Sequence, residues 1–569
     1  MEPSLFEVRR DELVAYLEEE KYLYQKDIEE AEGLSDEEKV EKGLLILHAR
    51  FTEADKCHYA FSCEENNTKL RAGDAVYLIS ESSKRRFSAI VVENELEGII
   101  LSLEGDFRLE GFYRIEVSQM VMLDPLIELT RRMEEGSIGA AFFKMLFTEK
   151  EPSPKGLGAI PAERIKLPSY MNDNQRNAIM QAVKRPSLYT IQGPPGTGKT
   201  DVLATIAIQF SQAGKEVLIV SNTHFAVNNA LAKIHAKADH LPVSKIGELL
   251  KANDLDEGIN RYATFQLYAK KRKEKVRRRS DPGAVVGMTI QSAIINLGLR
   301  SSGFSPMVVL VDEAGQVSLT QGAILGTFGA GSMLFIGDDR QMPPLYHPHL
   351  VGHPLSTSIF THLKTRFPAL SIRLTETFRM NRTITELVSK AFYEDSGEAL
   401  VPSAYSADRL FKLPSVGVTE DMRLTEKESV ILCEVNSDQN ATDANRDEAT
   451  EAVSLIKSAM RGGLLPNQVA VITPFRRQVK LIKTLLKEIP EAAGVIVDTV
   501  ERLQGKDVEM IIISLCASSA EYIGSMTPFI LNKNRLNVMI SRAKSKVIIF
   551  HSKHLKDPLY KTLLLEYNH

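Results

Sequence analysis

The chain has few cysteines and no long apolar segment, and these two shortages limit the class of protein it can be. Only four cysteines occur among 569 residues, a number typical of proteins kept in a reducing compartment. No segment reaches the roughly 18 consecutive apolar residues of a membrane span, and the first residues lack the basic and apolar regions of a secretory signal. We therefore expect a cytoplasmic protein with no membrane partner.

Metal-ligating residues are also scarce. Cys57 and Cys63 flank His58, but no second pair of cysteines or histidines completes a zinc-ligand pattern. Two buried thiols are therefore expected here rather than a structural zinc.

The charge balance argues against bulk electrostatic binding to nucleic acid but leaves room for a local basic groove. The formal net charge is −4, so the chain as a whole does not attract phosphates. One run, residues 270–279, has eight cationic side chains among ten. This run is compatible with a solvated helix or mobile loop and equally with an arm that follows a phosphate backbone. This run and a small β-barrel predicted earlier in the chain are also candidate docking surfaces for partner proteins.

The N-terminal part of the chain reads as a small β-barrel held between two helices. Residues 8–30 have the apolar periodicity of a helix, whereas short strands separated by polar turns follow between about 46 and 120. Asp124 and Pro125 mark the start of a second helix, which is expected to run to about Glu135. The predicted strands are Ala75–Ser80, Phe87–Glu93 and Gly98–Leu103.

Two α/β lobes are predicted after a proline-containing connector. Apolar strands that end in polar loops alternate with helical stretches, which is the pattern of parallel sheets covered on both faces. Residues 395–445 show little periodicity and are interpreted as irregular. The predicted strands are Ser187–Gln192, Val217–Ser221, Met307–Val311 and Met333–Ile336 in the first lobe, and Val469–Ile472, Val495–Val497, Met510–Leu515 and Val547–Phe550 in the second.

The length predicts three or four domains, at roughly 150 residues each. We divide the chain into a stalk helix at 1–45, a β-barrel at 46–120, a returning stalk helix and linker at 121–165, a first α/β domain at 166–365 with a basic insertion at about 235–283, and a second α/β domain at 366–569.

A glycine-rich loop between a predicted strand and a predicted helix has the sequence of a nucleoside-triphosphate site. Its glycines let backbone N–H groups approach phosphates closely, and the N-terminus of the following helix adds partial positive charge. Lys199 is expected to reach the β- and γ-phosphates, and Thr200 is expected to bind Mg²⁺. The loop consists of Gly193, Pro194, Pro195, Gly196, Thr197, Gly198, Lys199 and Thr200.

Two adjacent carboxylates narrow the reaction to ATP hydrolysis. Asp312 follows an apolar strand, where a carboxylate can hold the Mg²⁺ shell, and Glu313 can polarise the attacking water as a general base. No convincing guanine-reading Asn/Thr-Lys-x-Asp motif is found, which argues against a GTPase. A small-molecule kinase would have no use for a second, similar lobe. The pattern therefore favours a two-lobed ATP-driven motor.

Further blocks in a fixed order resemble those of a known family. Together with the loop and the carboxylates, they are similar to the motifs of superfamily 1 helicases, and most closely to the up-frameshift-like branch. That branch also places a barrel on a helical stalk before the first motor lobe. The resemblance covers most of residues 170–550, is looser over 1–150, and implies two tandem RecA-like domains. The further blocks are 171–175, 337–341, 377–380 and 535–542.

The resemblance implies roles for several residues of the ATP site. Gln175 would read the edge of adenine, and Phe378 would stack on the base where the family usually has tyrosine. Gln341 would couple the γ-phosphate to the cleft. Arg379 and Arg542 would act as arginine fingers from the second lobe, because planar guanidiniums suit phosphoryl oxygens and stabilise transition-state charge.

The sequence departs from the family pattern in a few places. Asp507, in the run Leu503-Gln504-Gly505-Lys506-Asp507, stands where the family usually has glutamate. The resemblance implies a contact with the ribose of ATP there, and the side chain of aspartate is one methylene shorter. The Cys/His-rich regulatory domain of the nonsense-mediated-decay helicase is absent, and no convincing nuclease arrangement is found.

The same comparison implies contacts with a nucleic-acid strand. Two blocks in the first lobe resemble the Ia and Ic motifs, and two more match their counterparts in the second. Hydroxyls, amides and backbone N–H groups can hold phosphates there without reading sequence, although a lone Ser-Asn-Thr after a strand is more often a helix cap. The candidates are Ser221, Asn222, Thr223, Asn228, Thr289, Ser292, Thr473, Pro474, Phe475, Thr499 and Val500.

On this resemblance we expect an ATP- and Mg²⁺-dependent helicase or translocase that moves 5′→3′ on single-stranded RNA or DNA. Two alternatives stay open. One is a nucleotide-switched protein that remodels nucleoprotein complexes without unwinding, and the other is a processing or defence subunit whose nuclease lies on another chain. Backbone contacts do not distinguish RNA from DNA, and the sequence does not fix the oligomeric state or the partner proteins.

Overall fold

A computed structural model gives the fold of most of the chain. The described residues are 3–31, 33–55, 58–63, 66, 68, 70, 74–94, 98–103, 105, 107–119, 123–148, 150–152, 160–184, 187–247, 252, 254–273, 281–295, 304–394, 397, 399–415, 421–435, 440–501 and 507–565. Among them, no helix is long and apolar enough to cross a membrane. These same residues contain no group of three or more His, Cys, Asp or Glu that could hold a metal ion. Cys63 is buried with a free thiol, and Cys57 lies outside the described residues.

The N-terminal module consists of two helices followed by an antiparallel sheet. The helices are α1 (Leu5–Ala31) and α2 (Asp36–Glu41), and the strands are β1 (Leu45–Asp55), β2 (His58–Ser62), β3 (Ala75–Ser80), β4 (Arg86–Asn94), β5 (Gly98–Leu103) and β6 (Phe112–Gln119). The strands pair in the order β1-β2-β5-β4-β3-β6, and β6 pairs again with β1, so the sheet closes into a barrel. Every second residue of β3 and β5 is buried, because alternate side chains face the barrel interior.

Helices on either side of the barrel attach it to the first lobe. α1 packs along α3 (Leu123–Arg131), and α4 (Ala140–Phe147) follows. The ring centroids of Phe6 and Phe143 are 5.0 Å apart. Phe142 stacks on Phe335 of the first lobe's sheet, with 6.0 Å between the ring centroids. The stalk therefore shares one apolar core with the first lobe.

The second stalk helix differs in detail from the prediction. It already includes Asp124 in its first turn, so this residue lies inside the helix, and it ends at Arg131 instead of about Glu135. Helix α4 has no counterpart among the predicted elements.

The first lobe is an eight-stranded parallel sheet with helices on its faces. Its strand order is β10-β9-β11-β8-β12-β13-β7-β14. The prediction of an α/β lobe with a parallel sheet is confirmed. The strands are β7 (Leu188–Gln192), β8 (Val217–Ser221), β9 (Val243–Ile246), β10 (Asn260–Tyr262), β11 (Val285–Thr289), β12 (Val308–Val311), β13 (Ser332–Gly337) and β14 (Ser371–Arg373). The helices are α5 (Asp173–Lys184), α6 (Lys199–Gln212), α7 (His224–Lys237), α8 (Phe265–Lys273), α9 (Ile290–Ile295), α10 (Leu319–Ile324) and α11 (Ile359–Arg366).

Two features of this sheet change the predicted domain limits. Strand β14 pairs with β7, so the first sheet continues past residue 365. Strands β9 and β10 lie within 235–283 and pair with the rest of the sheet, so this segment is part of the lobe and not simply an insertion. The sequence patterns did not reveal β9, β10 and β14 because these strands are short and because β10 and β14 are largely polar.

The second lobe has a five-stranded parallel sheet in the order β17-β21-β20-β18-β19, and here too the predicted parallel α/β architecture is confirmed. Residues 395–445, interpreted as irregular, contribute the edge strand β17. The strands of the lobe are β15 (Glu376–Thr377), β16 (Val401–Pro402), β17 (Val430–Glu434), β18 (Val469–Thr473), β19 (Ile496–Thr499), β20 (Val508–Ser514) and β21 (Ala543–His551). The helices are α12 (Arg382–Tyr393), α13 (Met422–Thr425), α14 (Arg446–Arg461), α15 (Arg476–Leu486), α16 (Ala520–Ile530), α17 (Lys533–Ile540) and α18 (Lys553–Leu563).

Candidate active site between the lobes

A cleft of about 660 Å³ opens between the two lobes and collects most of the predicted site residues. The first lobe contributes its glycine-rich loop and the loops that follow β12 and β13, and the second lobe contributes arginines and a carboxylate. The residues that line the cleft are Tyr170, Gln175, Pro194, Pro195, Gly196, Thr197, Gly198, Lys199, Thr200, Asp201, Thr223, Phe225, Ala226, Asn229, Lys233, Asp312, Glu313, Gln341, Phe378, Arg379, Tyr405, Arg409, Asp507, Arg542 and Lys544.

The glycine-rich loop leaves β7 and wraps around the side chain of Lys199 before α6 begins. A Cβ atom on Gly193 would lie 2.1 Å from Cγ of Lys199, so only glycine fits there. Gly196 and Gly198 have φ values of +74° and +79°, which glycine adopts without strain. Lys199 Nζ donates to the carbonyl oxygen of Gly193 at 2.6 Å, and no side chain in the described structure caps the N-terminus of α6. The loop therefore presents a shaped, positively polarised cradle that suits phosphates.

Asp312 and Glu313 follow β12 at the floor of the cleft. Asp312 is only 4% exposed, and burial together with the neighbouring Glu313 raises its pKa to about 7, while Lys199 acts in the opposite direction. Glu313 has a left-handed backbone with φ of +50°, which is uncommon outside glycine and is often found at functional sites. Thr200 and Asp312 both line this cleft. A threonine hydroxyl and a carboxylate are oxygen donors that suit Mg²⁺ together with phosphate oxygens.

Gln175 lies in the cleft, but both ends of its amide are already used. Its Oε1 accepts the backbone N–H of Asn172 at 3.2 Å, and Asn172 Oδ1 accepts the N–H of Gln175 at 2.8 Å. This reciprocal pair closes the N-terminus of α5. Gln175 Nε2 donates to the carbonyl oxygen of Thr197 at 3.0 Å. Gln175 therefore ties α5 to the glycine-rich loop, and its second amide hydrogen has no partner among the described residues.

The segment around Arg379 lies directly against the glycine-rich loop. The backbone N–H of Phe378 donates to the carbonyl oxygen of Gly196 at 2.9 Å. A Cβ on Gly196 would lie 2.5 Å from Oγ1 of Thr377 and 2.6 Å from Cβ of Arg379. The second lobe is thus closed onto the first at this point.

Arg379 and Arg542 approach the same carboxylate. Arg379 NH2 lies 2.6 Å from Asp507 Oδ1, and Arg542 NH1 lies 4.0 Å from the same oxygen. Arg379 NH1 also donates to the carbonyl oxygen of Ser541 at 2.8 Å. Burial, and then the nearby Arg379, lower the pKa of Arg542 to about 10. The two guanidiniums converge on one point of the cleft.

A hydrogen-bond network joins the lobes behind Gln341. Gln341 Nε2 donates to Asp338 Oδ2 at 2.7 Å, and the hydroxyl of Tyr393 donates to the same oxygen at 2.5 Å. Asn537 Nδ2 donates both to the Tyr393 hydroxyl at 2.9 Å and to the carbonyl oxygen of Arg340 at 2.7 Å. Asp338 and Tyr393 are almost fully buried. The loop that carries Gln341 is therefore held by two helices of the second lobe.

Sequence patterns did not indicate several cleft residues. Tyr170 is 64% exposed, and its hydroxyl accepts from Lys237 Nζ at 2.7 Å. Tyr405 and Arg409 lie in a segment without periodicity, and the guanidinium carbon of Arg409 is 5.4 Å from the Tyr405 ring centroid. Phe225 is a half-exposed aromatic in the first turn of α7, and its residue type could have drawn notice. The remaining cleft residues that were not predicted are Asp201, Ala226, Asn229, Lys233 and Lys544.

Most of the candidate strand-binding residues lie at or just after the carboxyl ends of β8, β11, β18 and β19, whereas Asn228 lies within α7. Most of their side chains are buried or already bonded. Asn222 Nδ2 donates to the carbonyl oxygen of Gln316 at 2.6 Å, and Asn228 Nδ2 donates to Asp254 at 2.9 Å. Thr223 caps α7 and lines the nucleotide cleft, which agrees with the cap alternative for this block. Ser221, Thr289, Thr473, Pro474, Thr499 and Val500 are buried, whereas Ser292 and Phe475 are partly exposed.

Two sequence features fall partly outside the described residues. Leu503, Gln504, Gly505 and Lys506 lie there, whereas Asp507 does not. Of the basic run, residues 274–279 lie outside and Lys270, Lys271 and Arg272 are described. Arg272 pairs with Glu216 of the first lobe.

The fold and the cleft together define a two-lobed P-loop ATPase architecture. Two family models, each described as an AAA domain, match residues 170–407 and 355–554. The DNA replication ATP-dependent helicase/nuclease DNA2 of Mus musculus is 28% identical over 417 residues, which cover 67% of this chain and 37% of that protein. The regulator of nonsense transcripts 1 homolog of Arabidopsis thaliana is 25% identical over 485 residues, which cover 76% of this chain and 37% of that protein.

Other similarities are weaker. The DNA-binding protein SMUBP-2 of Mesocricetus auratus is 23% identical over 468 residues, 72% of this chain and 46% of that protein. An arterivirus nonstructural protein 10 helicase structure aligns with 91% of this chain and 81% of its own at 12% identity, with a TM-score of 0.42. The family models and these relatives indicate a superfamily 1 helicase of the up-frameshift-like branch. The chain spans less than half the length of these curated relatives.

Proposed function

We propose that this chain is an ATP-hydrolysing helicase or translocase that acts on single-stranded nucleic acid. One observation carries the proposal. The glycine-rich loop, the Asp312-Glu313 pair and the arginines of the second lobe all line a single cleft. An ATP molecule in this cleft would touch both lobes, so its hydrolysis could change their relative position.

The residues of the cleft fit the chemistry of ATP hydrolysis. Lys199 would bind the β- and γ-phosphates, and Thr200 and Asp312 would hold Mg²⁺, which neutralises phosphate charge when bound. Glu313 would orient and deprotonate the attacking water. Nε of Arg379 and of Arg542 are buried without a hydrogen-bond partner in the described part of the chain. Such orphaned donors suit phosphoryl oxygens.

Gln341 would link the γ-phosphate to the second lobe. Its loop is bonded to Tyr393 and Asn537 through Asp338 and the carbonyl of Arg340. A shift of Gln341 on phosphate release would therefore disturb contacts made by α12 and α17. The two lobes would then alternate their grip on the strand.

The strand would pass over the carboxyl edges of the sheets, near the candidate residues of both lobes. Since most of those side chains are buried or bonded, backbone N–H groups and the few exposed side chains would make the contacts. Arg476 NH1 donates to the barrel carbonyls of Asn66 at 3.0 Å and Thr68 at 2.8 Å. This contact places the barrel beside residues 473–475 and supports a role in guiding the strand. The 5′→3′ direction follows from the family resemblance.

The first test is ATP turnover with and without single-stranded RNA and DNA of matched length at fixed salt. We expect stimulation by at least one of them, and Lys199→Ala should abolish turnover because it removes the phosphate-binding amine. Lys184 is an exposed lysine at the end of α5, and Lys184→Ala is the matched control. This variant should hydrolyse ATP at the rate of the unaltered protein. Retained turnover in Lys199→Ala would refute the phosphate assignment.

The second test separates unwinding from switching. Duplexes with a 5′ or a 3′ single-stranded overhang are incubated with ATP and Mg²⁺, and strand displacement is measured. We expect displacement from the 5′ overhang only. Stimulated ATP hydrolysis with no displacement from either duplex would favour the nucleotide-switched remodelling protein, and co-purification of a nuclease would favour the processing subunit.

A further inference from the structure

Asp507 lies where the second lobe presents its two arginines, directly before β20. One carboxylate oxygen serves both cations, at 2.6 Å from Arg379 NH2 and 4.0 Å from Arg542 NH1. The side chains of Arg379 and Arg542 are 14% and 7% exposed, whereas that of Asp507 is 34% exposed. The carboxylate is therefore the more accessible and the more easily displaced member of the group.

Two buried guanidiniums this close to each other need an anion. Each cation repels the other, and burial removes the water that would otherwise screen them. The carboxylate of Asp507 offsets this repulsion and holds both side chains at the cleft. The charge of Glu313 also acts on Arg542. A ribose hydroxyl is neutral and could not replace the carboxylate in this role.

We propose that Asp507 is the resting counter-ion of the two arginines, and that it yields them to the γ-phosphate of ATP. This inference rests on the proposed function. A γ-phosphate brings several negative oxygens to the same pair of cations, so it competes with the carboxylate for them. ADP lacks that group and leaves the carboxylate in place. Asp507 is a positioning residue: it keeps the arginines ordered between turnovers and lowers affinity for the triphosphate relative to the diphosphate.

The experiment compares dissociation constants for ADP and for a non-hydrolysable ATP analogue, each with Mg²⁺ at fixed salt, in the unaltered protein and in Asp507→Asn. Asparagine keeps the size of the side chain and removes the charge. We expect the analogue to bind about tenfold more tightly to the variant, equivalent to about 1.4 kcal/mol, with ADP unchanged within about twofold. Equal weakening of both nucleotides would instead assign Asp507 to the ribose, and an unchanged ratio would overturn the inference.

Two further variants isolate the effect. Asp408→Asn removes a carboxylate that pairs with Arg382 at 3.5 Å and is 90% exposed, outside the cleft lining, so the ADP-to-analogue ratio should stay at the unaltered value. In Arg379→Ala/Arg542→Ala, adding Asp507→Asn should no longer change the ratio, because the competing cations are gone. A persisting change would mean that Asp507 acts through another group.

The ratio also separates this inference from the proposed function. Both dissociation constants are measured on the same protein sample. Partial unfolding of a variant therefore lowers the number of binding sites but does not alter the dissociation constants. If the unaltered protein binds neither nucleotide, the proposed function fails. If it binds both and hydrolyses ATP but Asp507→Asn leaves the ratio unchanged, only the role of Asp507 fails.

Discussion

Replacing Gly196 by alanine should separate the arginine segment from the phosphate loop. The new Cβ would lie 2.5 Å from Thr377 Oγ1, 2.6 Å from Arg379 Cβ and 3.2 Å from the Arg379 nitrogen. Ordinary separations between carbon atoms are about 3.5–4.0 Å, so the segment must retreat by roughly 1 Å. A misplacement of about 1 Å in a catalytic group can reduce turnover by about 100-fold. We therefore expect about that loss in Gly196→Ala, rising toward ~10³-fold if Arg379 loses its contact with phosphate altogether.

A second glycine provides the control for backbone strain. Gly196 has φ of +74°, and alanine in this left-handed region costs roughly 1–2 kcal/mol by itself. Gly352 has φ of +93°, and a Cβ added there would have no atom of the described residues within 4 Å, so Gly352→Ala incurs similar strain without an overlap. Steady-state ATP turnover and ADP affinity are measured for both variants. Equal turnover in the two would refute the reasoning, and loss of ADP binding in Gly196→Ala would place the effect in the loop itself.

Two stability predictions follow from buried polar groups. Tyr393→Phe removes a hydroxyl that donates to Asp338 and accepts from Asn537, so urea denaturation should show a loss of about 1.5–3 kcal/mol; an unchanged free energy of unfolding would contradict the network. Burial raises the pKa of Glu448 from 4.5 to about 7, so the folded state binds this proton more strongly than the unfolded state does. The resulting contribution to the free energy of unfolding is fully present below pH 4.5 and is lost as the pH rises to about 7. Glu448→Gln should remove up to about 3 kcal/mol of that pH dependence, which is measured as the free energy of unfolding at acidic and at mildly alkaline pH. The same pH dependence in the variant and in the unaltered protein would contradict this role of Glu448.

The floor of the cleft could be predicted because sequence order and parallel-sheet geometry agree there. Strands that are apolar throughout, such as β12, or nearly so, such as β8, are visible in the sequence, and their carboxyl ends meet at one edge of the sheet. The glycine-rich loop and Asp312 each follow such a strand. Their presence in one cleft therefore needed only the assumption that the strands pair in parallel.

The rest depends on contacts between residues far apart in the chain. Strands β10 and β14 are three residues long, too short for a periodicity to show. The amide of Gln175 is engaged by Asn172 and Thr197, a local geometry that the motif alone does not specify. The pairing of Asp507 with two arginines depends on side-chain direction, and the sequence pattern suggested only a nucleotide contact at that position.

The link between the lobes depends more on backbone carbonyls than on the side chains of the motifs. Asn534 donates to the carbonyl oxygens of Asp339 and Gln341, and Asn537 donates to that of Arg340. These three consecutive carbonyls remain acceptors whatever side chains their residues carry, so substitutions there would leave the bonds in place while a change of backbone shape would break them. Through these three bonds, the second lobe senses the backbone conformation of the Gln341 loop whatever side chains residues 339–341 carry. If Gln341 moves with the γ-phosphate, all three carbonyls must move with it, and α17 is the helix that has to follow.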